Sequence, residues 1–315
     1  MNRTGRQTPP SVTPWPGGTP SVEPSQPTCA CGKTAAPLAT PDDRKASYRC
    51  PGCGLVIKKQ TLPDRQLQQW FEDEYWGAFA QEQVGQARVT LWVHILERIE
   101  QLAPERGTVV DVGCGAGAFL GLCRDRGWRG IGFELSERAV RHAQAQGLDV
   151  RQEGWPPATL GDSTVEVVTC INVLDLMPRP FDTLREAWRV LKPGGLLYVR
   201  VLNGPVHLAL SAAARRFHVP DLSMLHLYGF GKPSLRFHLA RLGFQEVDVR
   251  TSPPTQTDAY RHDQGPRALL RTLCKQVDRL VYSAARSLHL DWLAYGLSLE
   301  ATARKPIPAE QEPRP

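Results

Sequence analysis

The sequence predicts an α/β fold built on a doubly wound, mostly parallel, seven-stranded sheet, with a small separate module near the N-terminus. Three observations carry that expectation. Short runs rich in Val, Ile and Leu alternate with helical stretches from Thr108 to about 305, the pattern of parallel strands joined by crossover helices. A glycine-rich turn, Gly113-Cys114-Gly115-Ala116-Gly117, follows the first of those runs. Two close cysteine pairs stand ahead of the alternating region.

Residues 1–27 are rich in Pro, Ser, Thr and Gly. They bury too little to offset their chain entropy, so a disordered tail is expected there. Residues 28–60 hold the cysteine pairs, and residues 61–107 read as a helical lead-in whose apolar positions include Trp70, Phe71, Tyr75, Trp76, Phe79, Leu91, Trp92, Ile95 and Ile99. The main domain is expected over 108–305. Its strands fall at 108–113, 130–134, 148–152, 165–171 and 196–202, and its helices at 117–126, 136–146 and 181–191, each with apolar residues at helical spacing. Lys192-Pro193-Gly194-Gly195 stops the third helix and turns into the fifth strand. A helix near 232–242, a strand near 244–251, a basic amphipathic helix within 266–290 and a strand near 297–304 complete a sheet with a hairpin-like end. Residues 306–315 are expected to form a disordered tail.

The 315 residues suffice for one α/β domain and a small appendage. No run of about 18 apolar residues suggests a membrane span, and prolines 9, 10, 14 and 16 occupy the place of a secretory apolar region. A cytoplasmic location follows as the default, with the eight cysteines serving as thiols or metal ligands. The formal charge of +6 would fall to about +4 if four thiolates held one zinc ion. Lys and Arg form no long block, so nucleic acid is disfavoured as the substrate.

The strand Thr108-Val109-Val110-Asp111-Val112 runs directly into the glycine turn, and a helix is expected to begin there. Glycines allow a sharp turn and a close approach of ligand to backbone. Glu134 ends the second strand, where an acid can accept hydrogen bonds from both hydroxyls of a ribose. A nicotinamide dinucleotide is the competing ligand, since Gly113, Gly115 and Ala118 fit its relaxed fingerprint. Asp111 decides against it, because a carboxylate just before the loop repels a pyrophosphate but suits an ammonium and a sulfonium.

Val109-Val110-Asp111-Val112-Gly113-Cys114-Gly115-Ala116-Gly117 resembles the first motif of class I S-adenosylmethionine-dependent methyltransferases. Gly132-Phe133-Glu134-Leu135-Ser136 resembles their second acidic motif, Val167-Val168-Thr169-Cys170-Ile171-Asn172-Val173-Leu174 the fourth-strand motif, and Val190-Leu191-Lys192-Pro193-Gly194-Gly195 the turn before strand five. The similarity covers about 88–305. It implies a Rossmann-like fold in which Asp111, Gly113, Gly115 and Gly117 cradle the methionine part of the cofactor, Glu134 holds the ribose and Leu135 packs on the adenine. It places Glu153 beside the adenine amino group, and Asn172 and Val173 beside the sulfonium.

Cys29-Ala30-Cys31 and Cys50-Pro51-Gly52-Cys53 are two pairs of soft ligands. Together they suit the closed tetrahedron of a structural zinc ribbon or knuckle, although the first pair has one intervening residue where two are usual. Four protein thiolates would leave such an ion no open position for catalysis. Cys114, Cys123, Cys170 and Cys274 are scattered and read as small core residues. A knuckle, an aromatic helical segment and a class I domain in that order resemble methyltransferases of polysaccharide and secondary-metabolite pathways.

A hydroxyl acceptor needs its proton removed. Quinone-type O-methyltransferases that the chain resembles carry a Glu-His pair just after the fourth strand. Here the sequence reads Leu174-Asp175-Leu176-Met177, leaving Asp175 as a candidate base or ligand without the histidine. The segment from Met224 to Phe230 resembles the stretch that closes over the acceptor, and within it His226 is the leading base, ahead of His207 and His218. Tyr75 and Trp76 could cap the cofactor from the lead-in. The resulting expectation is methyl transfer to oxygen or carbon of a small molecule, a sugar, lipid-linked glycan or natural-product intermediate. Two alternatives stand beside it: RNA methylation with the zinc module as accessory, and a non-catalytic cofactor-binding scaffold. For the basic helix, packing on the sheet competes with peripheral membrane contact through 266–293, where Trp292 and Tyr295 would suit the interface.

Overall fold

A computed structural model describes residues 26–38, 47–58, 69, 88–157, 159–218, 226–255, 266–290, 292–293 and 295–308. Trp70, Phe71, Tyr75, Trp76 and Phe79 of the lead-in lie outside the described residues, as do most of the two tails.

The main sheet has seven strands: β4 (Thr108–Val112), β5 (Arg129–Glu134), β6 (Asp149–Gln152), β7 (Val165–Ile171), β8 (Leu191–Leu202), β10 (Gln245–Thr251) and β11 (Ser298–Arg304). They lie in the order β10-β11-β8-β7-β4-β5-β6. The five strands from β8 to β6 pair in parallel, and β11 runs antiparallel to both β8 and β10. This is the Rossmann-like architecture expected from the alternation, ending in an antiparallel pair.

The pleat sorts the core into two layers. Val109, Val167 and Tyr198 meet helix α1 (Val89–Leu102) on one face. Val110, Val168 and Val199 meet α4 (Pro180–Val190) and α6 (Lys232–Arg241) on the other. α1 turns Leu91, Ile95, Leu96 and Ile99 inward at helical spacing, each burial worth about 1.5–3 kcal/mol. Helices α2 (Ala118–Asp125) and α3 (Glu137–Ala145) follow β4 and β5, and Ser136 caps α3 by accepting a hydrogen bond from Ala139 N–H.

A second sheet joins β1 (Ala36–Leu38), β2 (Ser47–Arg49) and β3 (Val56–Lys58) of the cysteine module to β9 (Tyr228–Gly229) of the main domain. Val56 pairs with Gly229 and Ile57 with Tyr228. Tyr48, Leu55 and Ile57 share one hydrophobic cluster with the main sheet, so the module is built into the side of the domain.

The main domain also holds a helix and a strand that were not expected. Helix α5 (Gly204–Arg216) occupies the stretch after β8, and β9 exists through its pairing with β3. The basic helix, α7 (Pro266–Ser287), is present, but four of its apolar residues are turned to solvent. Leu273, Val277, Leu280 and Val281 are 46–70% exposed. Asp278, Arg279 and Tyr282 take the half-buried side instead, with Asp278 accepting from Leu297 N–H. Among the described residues, no helix is long and apolar enough to cross a membrane.

Candidate active site

The C-terminal ends of β4, β5 and β7 open onto a cavity of about 310 Å³. The turn after β4 makes its floor. Gly113, Gly115 and Gly117 have φ of +69°, +54° and +78°, values that disfavour side chains. A Cβ on Gly113 would also stand 2.5 Å from Val173 Cγ2. Gly117 is not part of the lining; a Cβ there would lie 2.7 Å from Leu148 Cδ1, so it permits close packing beneath the turn.

Three carboxyl groups, of Asp111, Glu134 and Glu153, line this cavity. Asp111 is 3% exposed and accepts a 2.6 Å hydrogen bond from Thr169 Oγ1. Burial, aided by the nearby Glu134 charge, pushes its carboxyl up to about 7. Glu134 ends β5 and takes Gly115 N–H on Oε2 at 2.9 Å, with Leu135 and Ser136 N–H on Oε1. Leu135 (38% exposed) and Glu153 line the same side. Trp155, which sequence reasoning passed over, lines it as well, edge-on to Phe133 and anchored by its Nε1–H to Thr183 O.

Asn172 and Val173 line the cavity just after β7. Asn172 has φ of +58°, a left-handed conformation uncommon for a residue with a side chain. It is held there by Arg200, whose guanidinium donates to Asn172 Oδ1, Ser252 Oγ and Pro253 O. Arg88, Trp92 and Arg179 also reach the cavity, positions that no sequence motif marked.

Asp175 and His226 lie outside that lining but come together. Asp175 is fully buried in the short turn 174–176, and its Oδ2 lies 3.0 Å from His226 Nδ1. Leu202 N–H approaches the same oxygen at 3.4 Å, whereas Oδ1 has no hydrogen-bond partner among the described residues. Two residues 51 positions apart in sequence thus form an acid–histidine contact. His207 instead meets Leu297 O at 3.1 Å, a backbone contact within the fold.

The four module cysteines converge. Cys29 and Cys53 have their sulfurs 3.6 Å apart, Cys31 and Cys50 3.2 Å, and all four lie within 4.8 Å of one another. A tetrahedral ion with metal–sulfur bonds of about 2.3 Å needs sulfurs about 3.8 Å apart, so the set fits. Burial pushes the thiols of Cys29 and Cys53 up, Cys53 to about 11, so a cation is what would hold them as thiolates. His238, on α6, stands beside this cluster and carried no signal in the sequence. Cys123 and Cys170 are buried core residues.

A family model described as methyltransferase domain matches residues 81–249, more than half of the chain. A ubiquinone biosynthesis O-methyltransferase from Ralstonia nicotianae is 30% identical over 194 residues, 56% of this chain and 81% of that protein. The namesake from Idiomarina loihiensis is 30% identical over 118 residues, 35% of this chain and 49% of its own; the chain spans about half the length of several such relatives. In fold the chain is similar to Haemonchus contortus phosphoethanolamine N-methyltransferase 2, solved in complex with S-adenosyl-L-methionine. The TM-score is 0.50 at 14% identity, covering 80% of this chain and 63% of that one.

Proposed function

The chain belongs to the methyltransferase-domain family as an S-adenosylmethionine-dependent enzyme, and on that premise we propose that it methylates an oxygen or carbon of a small-molecule acceptor. The observation that carries this reading is the Asp175–His226 pair. Asp175 Oδ2 accepts the Nδ1 proton, which leaves His226 Nε2 with a lone pair to take a proton from a hydroxyl acceptor. The O-methyltransferase activity in the names of the relatives supports an oxygen acceptor. Sugars, lipid-linked glycans and natural-product hydroxyls share this chemistry. Incubating the enzyme and isotopically labelled cofactor with a cell extract, followed by mass spectrometry, tests the reading. A labelled small molecule supports it, and label found in RNA alone overturns it.

The cavity fits the cofactor. When bound, S-adenosylmethionine supplies a methyl group on a sulfonium, open to in-line attack by the acceptor. Asp111, Gly113 and Gly115 would hold its methionine part, Glu134 its ribose, Leu135 and Glu153 its adenine, and Asn172 and Val173 the region of the sulfonium, while Gly117, expected in this set, supports the turn from beneath. Asp111 gives this binding a pH dependence. Its carboxyl, pushed up to about 7, is neutral below that pH and charged above it. A cationic cofactor favours the charged form, so affinity is expected to be up to about tenfold weaker at pH 6 than at pH 8. Asp111→Asn should flatten the difference. Equal wild-type affinities at the two pH values would contradict this role.

Cys29, Cys31, Cys50 and Cys53 are assigned to one structural zinc ion, which would hold the module without touching the acceptor. An anionic lipid surface is the partner assigned to α7. The support is its exposed apolar stripe, with five Arg and Lys against one Asp over Pro266–Ser287, and Trp292 54% exposed just beyond. The protein is expected to co-sediment with acidic vesicles at low salt and to be released as salt rises. Protein left in the supernatant at low salt rules this out, and dimerisation through the stripe would assign it to a second copy.

A further inference from the structure

We propose that His238 is a positioning residue that donates its Nε2–H to the metal-held thiolate of Cys53, so that the ion in the cysteine module fixes the segment carrying His226. The inference rests on the zinc reading of the four cysteines. His238 is 3% exposed, with Nε2 3.3 Å from Cys53 Sγ and 4.0 Å from Cys29 Sγ. Those two sulfurs form one edge of the cluster, 3.6 Å long, and the imidazole sits over that edge. Four cysteines already complete a tetrahedron, so the ring belongs outside it. A sulfur bound to a metal ion has no proton to give, so across that contact the imidazole must be the donor. The ring has little freedom to turn away. Phe181 lies against it at 4.3 Å between centroids with the rings tilted by 38°, and Phe237 meets it edge-on at 5.2 Å.

The consequence for the acceptor side follows from connectivity. His226, β9 and α6 form one continuous stretch, 226–241, that grips the module at both ends. At the start, β9 pairs with β3, and Lys58 N–H donates to Leu227 O at 2.8 Å. Cys53 precedes β3 by three positions, so a fixed Cys53 fixes the strand on which β9 lies. At the far end, His238 meets Cys53, and Arg241 donates to Cys31 O at 3.2 Å. His226 heads the stretch and meets Asp175 there. Losing the ion would remove the metal–sulfur bonds that tie the four cysteines together at the point where both grips converge. The cofactor cavity does not include this stretch, so its affinity should be indifferent to the ion.

The test uses the full-length, zinc-loaded protein with three readouts: zinc release to excess chromogenic chelator, amide exchange over 226–230, and S-adenosylmethionine affinity by calorimetry. Losing a hydrogen bond to a metal ligand costs about 10–100-fold in metal affinity, and H238A is expected to release zinc faster by that factor. H238Q, which keeps an N–H donor, should fall nearer the wild type. Chelation of the wild type should raise exchange over 226–230 and leave cofactor affinity unchanged, a result that requires no variant to fold. Zinc release from H238A and H238Q alike at the wild-type rate, or exchange over 226–230 that ignores zinc removal, overturns the proposal. A wild-type protein purified anaerobically without zinc overturns the metal reading beneath it.

Discussion

His226→Gln is expected to slow methyl transfer by about 10²–10⁴-fold, the contribution of a positioned general base, with S-adenosylmethionine affinity unchanged. His226 Nδ1 lies 3.0 Å from Asp175 Oδ2, and Asp175 is fully buried; in the proposed role Oδ2 accepts the Nδ1 proton and Nε2 is the accepting nitrogen. The histidine side chain is 26% exposed, enough to meet an acceptor. Gln at 226 can keep a hydrogen bond to Asp175 but cannot accept a proton. Asp175→Asn should lower the rate less, because a misoriented base is still a base. Incorporation of labelled methyl into the acceptor measures the rate, and undiminished turnover by His226→Gln removes it as the base.

The centre of the sheet was legible because β4 and β7 are short, mostly apolar runs closed by turns. β7 was expected over 165–171 and spans Val165–Ile171; β4, expected over 108–113, ends one residue earlier, at Val112. The turn after β4 was legible for the same local reason, since three glycines at positive φ write themselves into sequence. Helix α5 was missed because its buried positions include Gly204, His207, Ser211 and Ala214, which make no apolar stripe. β9 is two residues long and owes its existence to β3, more than 160 positions earlier, which no local pattern reveals. The same distance hid the site's pairings. Asp175 and His226 were each visible, one by its place after β7 and one by its place in an aromatic loop, but nothing local joins them. His238 sits on a helix without a marked apolar face, and only the folded chain brings it against Cys53. For α7 the apolar period was correct, but its direction was not encoded: periodicity says that a helix has an apolar face, not what covers it.

The most direct test of the account is calorimetric titration of S-adenosylmethionine into the wild type, Asp111→Ala and Glu134→Ala. Asp111 is a buried carboxylate facing the cavity, and Glu134 lies within hydrogen-bond reach of the turn that forms its floor. A charge-assisted hydrogen bond to a ligand is worth about 1–3 kcal/mol, so each variant should bind about 5–150-fold more weakly. Glu134→Ala also frees Gly115, Leu135 and Ser136 N–H, which places its effect toward the upper end. Micromolar binding by the wild type and weakened binding by both variants is the expected result. Unchanged affinity in both would contradict the placement of the cofactor on these two carboxylates.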